Sequence, residues 1–312
     1  MLSYRHGFHA GNFADVFKHA LLLQLLQAMQ RKDKGYLYLE THAGAGRYDL
    51  NAEFAQKLKE YAGGIGRLWQ ADDLPEGLIA YRQAVAALNH SASLRFYPGS
   101  PALALQLQRP QDRGIFCELH PADLEALQHF CQKQTAVASK KPRQHSSHAA
   151  AQKGSAIRVA ARSSKVRRSS KVRVEKMDGL HGLKAFLPPL EGRGLIHIDP
   201  PYEREQEYRQ LPLALQMARK RFAAGVFALW YPLLSSREAQ RLPERMAASG
   251  MRNILRFELW VRRPGPGLYG CGMLVFNPPW QLEQAFAPSL AWLAETLGDG
   301  AAGWRSDWLA AE

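Results

Sequence analysis

The chain has 312 residues, enough for one large domain with an insertion or for two domains, and its 46% hydrophobic content allows a full core. Its three cysteines, Cys117, Cys131 and Cys271, are too few and too scattered for a disulfide framework or a zinc site, which points to a reducing cytosol and no metal. The net charge is +13, yet eleven Lys and Arg and no acid fall between Ala136 and Arg173; removing them leaves about +2, so the charge suggests a polyanion partner while a basic insert explains most of it.

In chain order, Met1 to Gly11 lacks the apolar core of a signal peptide. The best apolar run, Ala20 to Met29, is too short to span a membrane. Residues 12 to 31 predict a helix capped by Asn12, with Phe13, Val16, Phe17, Ala20 and Leu21 as its apolar stripe. Gly35 to Glu40 predicts a strand that breaks at Thr41-His-Ala-Gly-Ala-Gly46. From about Tyr48 to Ser93 the pattern is helical, too long for an ordinary strand-to-helix connection and so an inserted subdomain. Strand and helix then alternate. Gly114 to Glu118 reads as a strand, Asp123 to Gln132 as a helix, and Val172 to Asp178 and Gly194 to Asp199 as strands. A helix follows over Leu211 to Phe222, a strand over Gly225 to Pro232 and a helix over Glu238 to Ser249. Ile254 to Val261 and Gly272 to Asn277 close the series. Such alternation predicts an α/β fold with a doubly wound, mostly parallel sheet. Ala136 to Ser170 interrupts it with Ser, Ala, Lys, Arg and His, a composition that reads as disordered. The expected organisation is lid, first helix and first strand over 1–47, the helical insert over 48–95, core over 96–135, the basic insertion over 136–171 and core again over 172–312.

The sharpest chemical signal is Asp199-Pro200-Pro201-Tyr202 after a buried strand. An exocyclic amine on an aromatic base is a poor nucleophile, because its lone pair is delocalised into the ring. A site that methylates it must accept hydrogen bonds from both N–H groups as the nitrogen becomes tetrahedral. The Asp199 carboxylate offers one acceptor and the Pro200 carbonyl the other, aimed by two prolines of locked φ. Tyr202 offers a face for a base that has left its stack. Glycines Gly44 and Gly46 after the first strand permit close backbone approach to a ligand. Glu118, ending the next strand, is placed for ribose hydroxyls, and Asp178-Gly179 for a cofactor's adenine amine. Asn277-Pro-Pro-Trp280 resembles the tetrad but follows the last strand read here, and is taken as a structural strand end. His197, inside the Asp199 strand, is taken as a satisfied core histidine.

Together these residues resemble the bacterial 23S ribosomal RNA adenine-N6 methyltransferases of the RlmJ type. The likeness rests on Met1-Leu-Ser-Tyr-Arg-His6, His9-Ala-Gly-Asn12, Asp15 with Lys18-His19, Thr41 to Tyr48, Tyr97-Pro-Gly-Ser-Pro101, Glu118-Leu-His-Pro121, Val174-Glu-Lys176, Asp178-Gly179, Asp199 to Tyr202, Ala228 to Pro232 and Asn277 to Trp280. The resemblance implies a Rossmann-like class I methyltransferase, monomeric and cytoplasmic. It implies S-adenosylmethionine contacts at His19, His42, Ser100, Glu118, Asp178 and Gly179, with S-adenosylhomocysteine as product. It implies Asp199 as the catalytic acceptor, also near the donor, Tyr4 on the RNA, His6 and Lys18 beside the site, and an N-terminal tail acting as a lid. The substrate would be 23S ribosomal RNA, protein-free or early in assembly. The basic stretch looks like an addition to the family core. A DNA adenine-N6 methyltransferase and a non-catalytic RNA-binding assembly factor are the competing readings.

Overall fold

A computed structural model of the protein describes residues 6–89, 93–140 and 171–311. Tyr4 and most of the basic stretch lie outside the described residues. After a single 3-10 turn at His6–Phe8, Asn12 caps helix α1 (Phe13–Gln30), its side chain accepting from the Asp15 amide. Thirteen of the 18 residues of α1 are buried, so the helix runs through the core rather than over it. Strand β1 (Leu37–Glu40), buried at every position, follows.

The inserted region holds more than helices. Strand β2 (Arg47–Asp49) precedes four short helices, α2 (Glu53–Leu58), α3 (Glu60–Gly63), α4 (Ile65–Gln70) and α5 (Glu76–Ala86), and pairs antiparallel with β3 (Phe96–Pro98). Helix α6 (Ser100–Leu107) returns the chain to β4 (Arg113–Glu118). Helix α7 (Pro121–Lys140) runs eight residues past the expected end at Gln132, into the stretch read as disordered from Ala136. Then come β5 (Val172–Lys176), α8 (Gly179–Phe186), β6 (Gly194–Ile198), α9 (Glu205–Arg221), β7 (Val226–Leu233), α10 (Arg237–Gln240), α11 (Leu242–Ala248), β8 (Ile254–Trp260) and β9 (Gly270–Phe276). Helix α12 (Leu282–Leu297) and an edge strand, β10 (Gly303–Ala310), complete the chain; neither was read from the sequence.

Among the described residues the main sheet has eight strands in the order β10-β8-β9-β7-β6-β1-β4-β5. Strands β5, β4, β1, β6 and β7 are parallel. Strand β9 is antiparallel to both β7 and β8, so β8 runs with the parallel set, and β10 runs against β8. The expected α/β, doubly wound Rossmann-like sheet is therefore present. One apolar cluster fills the face covered by α1, α6 and α12. A second fills the face under α8, α9 and α11. From β1 the chain winds outward through β4 and β5, then returns to β6 on the other side. Ligands of such sheets bind where the winding reverses, beyond the carboxyl ends of β1 and β6.

Candidate active site

A cavity of about 790 Å³ opens at that edge. It is lined by the segments that follow the parallel strands: Thr41 to Gly44 after β1, Glu118 to His120 after β4, Met177 to Gly179 after β5 and Asp199 to Tyr202 after β6. The first two turns of α1 supply Asp15, Lys18 and His19, and Trp230 and Pro232 of β7 add an apolar wall.

Lys18 is the pivot of the Asp199 end of the cavity. Its Nζ donates to Asp199 Oδ2 at 2.7 Å and lies 2.9 Å from Asp15 Oδ1. Asp15 is almost fully buried and is held in turn by His6 Nε2 and the Gly11 amide, each at 2.9 Å. Burial pushes the Asp199 carboxyl up, but the Lys18 charge, with help from His197 and the Lys18 hydrogen bond, leaves it below the usual carboxylate range. Burial likewise opposes the charge on Asp15, and His6 and Lys18 beside it hold that carboxyl well below the ordinary value. The site therefore keeps an ionised Asp199 in a largely buried position, with Oδ2 on Lys18 and Oδ1 taking no hydrogen bond from the described residues.

Tyr202 adopts a left-handed backbone, φ 56°, which costs a bulky residue about 1–3 kcal/mol. Its hydroxyl donates to the Trp230 carbonyl at 2.6 Å, and its ring lies 4.7 Å from Tyr208 and 6.0 Å from Trp230. The loop after β6 is thus pinned to β7. Trp230, with Lys18 Nζ 5.6 Å from its ring, adds an aromatic surface that was not singled out from the sequence.

At the other end, Glu118 Oε2 accepts from the Gly44 amide and Oε1 from the Leu119 and His120 amides, all at 2.7 Å. Burial raises its carboxyl above the ordinary value despite these donors. Asp178 caps α8, and both cap bonds, from Leu180 and His181, fall on Oδ1. Gly179 lines the cavity because α8 begins against β1: a Cβ there would lie 2.6 Å from the Thr41 carbonyl carbon. Two neutral imidazoles face the same space. Burial pulls His42 down to about 4 and His19 to about 3. His42 Nδ1 pairs with Thr41 Oγ1 at 2.8 Å, and His19 Nδ1 with the Tyr97 hydroxyl at 2.7 Å.

Of the expected site residues, His6, Lys18, His19, His42, Gly44, Ser100, Glu118, Asp178, Gly179, Asp199, Pro200 and Tyr202 all line this cavity. Gly46, expected at the cofactor, does not. Its φ is 77°, and a Cβ there would meet Leu127 and Phe130 of α7 at 3.0–3.1 Å, so it serves the turn and its packing. His197 is buried but only half satisfied: Nδ1 reaches Glu40 Oε1 at 3.1 Å, while Nε2 has no hydrogen-bond partner among the described residues. Asn277 spends its amide on the Ala223 and Gly225 carbonyls and accepts from Arg219, at the sheet edge remote from the cavity. Asp15 was quoted from the sequence only as part of a motif, and the geometry makes it the anchor of Lys18. The available signal was an acid and a lysine three residues apart on an otherwise apolar helix.

Comparison with known proteins bears on what this cavity does. A family model described as ribosomal RNA large subunit methyltransferase D, RlmJ, matches residues 33–159 and 159–310, its break falling within the basic stretch. Ribosomal RNA large subunit methyltransferase J of Escherichia coli (strain K12) is 43% identical over 299 residues, covering 95% of this chain and 94% of the relative. The protein of the same name from Haemophilus influenzae is 38% identical over 316 residues, covering all of both. A crystal structure of a Legionella pneumophila protein is similar with a TM-score of 0.79 at 33% identity, covering 96% of this chain and 98% of that one.

Proposed function

Because the chain belongs to the RlmJ family of ribosomal RNA large subunit methyltransferases, we propose that it methylates the exocyclic N6 amine of a specific adenine in 23S ribosomal RNA, with S-adenosylmethionine as donor. The observation that carries this reading is the Lys18–Asp199 pair, with Pro200 next to it, at a cavity wide enough for a nucleoside-based cofactor and a flipped base together. Its volume lies within the roughly 300–1,000 Å³ of small-molecule pockets. The donor set also fits. Asp178 has its second oxygen outside the helix cap, and Glu118 and Ser100 line the same space.

When bound, S-adenosylmethionine supplies a methyl carbon on a positively charged sulfur. Glu118, Asp178, Gly179, His42, His19 and Ser100 hold that cofactor in this reading. Asp199 Oδ1 and the Pro200 carbonyl accept the two amine hydrogens, which returns lone-pair density to the nitrogen. Lys18 keeps Asp199 ionised and fixes its Oδ2, so the carboxylate has one orientation. The amine proton becomes acidic once the new N–C bond forms, and Asp199 is the adjacent acceptor for it. Tyr202 and Trp230 provide the aromatic walls for the base. Tyr4, His6 and the rest of the N-terminal segment act as the lid over cofactor and RNA, and the enzyme works as a cytoplasmic monomer on protein-free or early-assembly RNA.

The test is incubation of the purified chain with methyl-labelled donor and either unmodified 23S transcript or duplex DNA, followed by nucleoside mass spectrometry. The expected product is N6-methyladenosine in the RNA alone. Asp199→Ala abolishes turnover with the fold and S-adenosylhomocysteine binding retained. Label on another nucleoside, preference for DNA, or near-normal turnover of the variant overturns the reading.

A further inference from the structure

Behind the cavity wall lies a polar cluster almost closed to solvent. Glu40, the last residue of β1, is fully buried. Its Oε2 accepts from the Tyr38 hydroxyl at 3.1 Å. Its Oε1 accepts from the Ser100 hydroxyl and, at 3.1 Å, from His197 Nδ1. Three donors from three elements, β1, α6 and β6, thus converge on one carboxylate. Ser100 alone among them lines the cavity. The cluster is also tied to the catalytic strand, because the Thr41 amide donates to the His197 carbonyl at 3.1 Å, two residues before Asp199.

A hydroxyl has one hydrogen and two lone pairs. With its hydrogen spent on Glu40, Ser100 can only accept on its cavity side. The negative charge directly behind it reinforces the same preference, and low surrounding polarity strengthens it. A carboxylate brought to Ser100 would meet lone pairs and a second carboxylate; an ammonium would meet an oriented acceptor. The amino-acid end of S-adenosylmethionine carries one group of each kind. We propose that Glu40 is a positioning residue that sets the hydrogen-bond polarity of Ser100, so that this hydroxyl receives the α-ammonium of the cofactor and not its α-carboxylate. This rests on the cofactor reading given above and extends it to a residue that itself does not reach the ligand.

The experiment is calorimetric binding to the full chain of S-adenosylhomocysteine and two analogues, one lacking the α-amino group and one lacking the α-carboxylate. A hydrogen bond to a charged group is worth enough that loss of the amino group weakens binding to the wild type by more than about tenfold. In Ser100→Ala that amino-group penalty shrinks to about two- or threefold, while the carboxylate penalty is unchanged. Glu40→Gln, nearly isosteric but uncharged, reduces the amino-group penalty in the same direction. A purely structural contribution of Glu40 would weaken all three ligands in parallel and leave both penalties as they were. An undiminished amino-group penalty in Ser100→Ala, or loss of the carboxylate penalty instead, overturns the proposal whether or not the Glu40 variant folds. A reduced penalty in Ser100→Ala with an intact one in folded Glu40→Gln removes Glu40 from the role. Failure of the wild type to bind S-adenosylhomocysteine would instead strike at the cofactor reading itself.

Discussion

Asp199 and Lys18 sit 181 residues apart in the chain and 2.7 Å apart in space, and Asp199 is costly without the lysine, which also lies against Asp15. Removing Lys18 leaves the Asp199 carboxylate without its cation, a penalty of about 3–5 kcal/mol. For Asp199 the alternative is to take up a proton. Its carboxyl is pushed up by burial and held down chiefly by Lys18, so Lys18→Met is expected to raise it. A carboxylate depressed in the wild type stays ionised until the pH falls below the ordinary carboxylate range, so the pair adds no acid limb to the neutral pH–rate profile. In the variant the limb moves to higher pH, and activity is lost earlier as pH falls. At neutral pH turnover drops about a hundredfold, because misplacement of a catalytic group by about 1 Å costs that much. A profile of kcat against pH for both proteins checks this; identical acid limbs would show that Lys18 does not control Asp199. The Asp-Pro-Pro-Tyr tetrad was legible because its chemistry is contiguous in the chain. The lysine that governs it was placed beside the site only through family likeness, since no local spacing links α1 to the end of β6.

At the scale of elements, the site depends on how closely β1 and α8 approach. Gly179 starts α8 with its Cα against Thr41, where a side chain has no room. Gly179→Ala must push the helix outward, an overpacking change that costs about 1–3 kcal/mol. Because Asp178 caps that helix and lines the cavity, the same shift moves its carboxylate. Denaturant melts should therefore show lower stability, and S-adenosylhomocysteine titrations weaker binding, whereas a loss of stability alone would detach α8 from the ligand. The central strands were readable because β1, β4 and β6 are short, apolar runs ending in acids at the carboxyl edge. Other elements hid for physical reasons. Helix α9 begins six residues before its expected start at Leu211, because its first turn is exposed and charged and its buried stripe opens only at Tyr208. Strand β10 has no buried residue and lies on an outer edge, with Trp304 and Trp308 both exposed, and carries no continuous apolar run. The helical reading of the insert ran over the end of β2, and β3 just beyond it was not read; both have three residues, too short to show a period.

For the whole molecule the distribution of charge predicts that catalysis and affinity depend on different parts of the chain. Residues 141–170 carry eight Lys and Arg and no Asp or Glu. They join the end of α7 to the start of β5. Helix α7 leaves the carboxyl end of β4 and runs back along the sheet, so both attachment points lie at the edge away from the cavity. A span of this length reaches at most about 50 Å from its anchors, which is enough to meet an RNA whose target nucleotide occupies the site. The cavity itself is rich in acids, with Asp15, Glu118, Asp178 and Asp199 among its lining residues, and is poorly suited to attract a polyanion by charge. Replacing 141–170 by a short Gly-Ser linker should therefore weaken RNA binding without altering the rate at saturating RNA. The dependence of log affinity on log salt should flatten by about 0.7–0.9 for each phosphate that the basic segment no longer neutralises. Binding to 23S fragments across a salt series measures both quantities. A slope equal to that of the intact chain would exclude the basic segment from the RNA interface, and a changed rate at saturation would mean that it reaches the catalytic end.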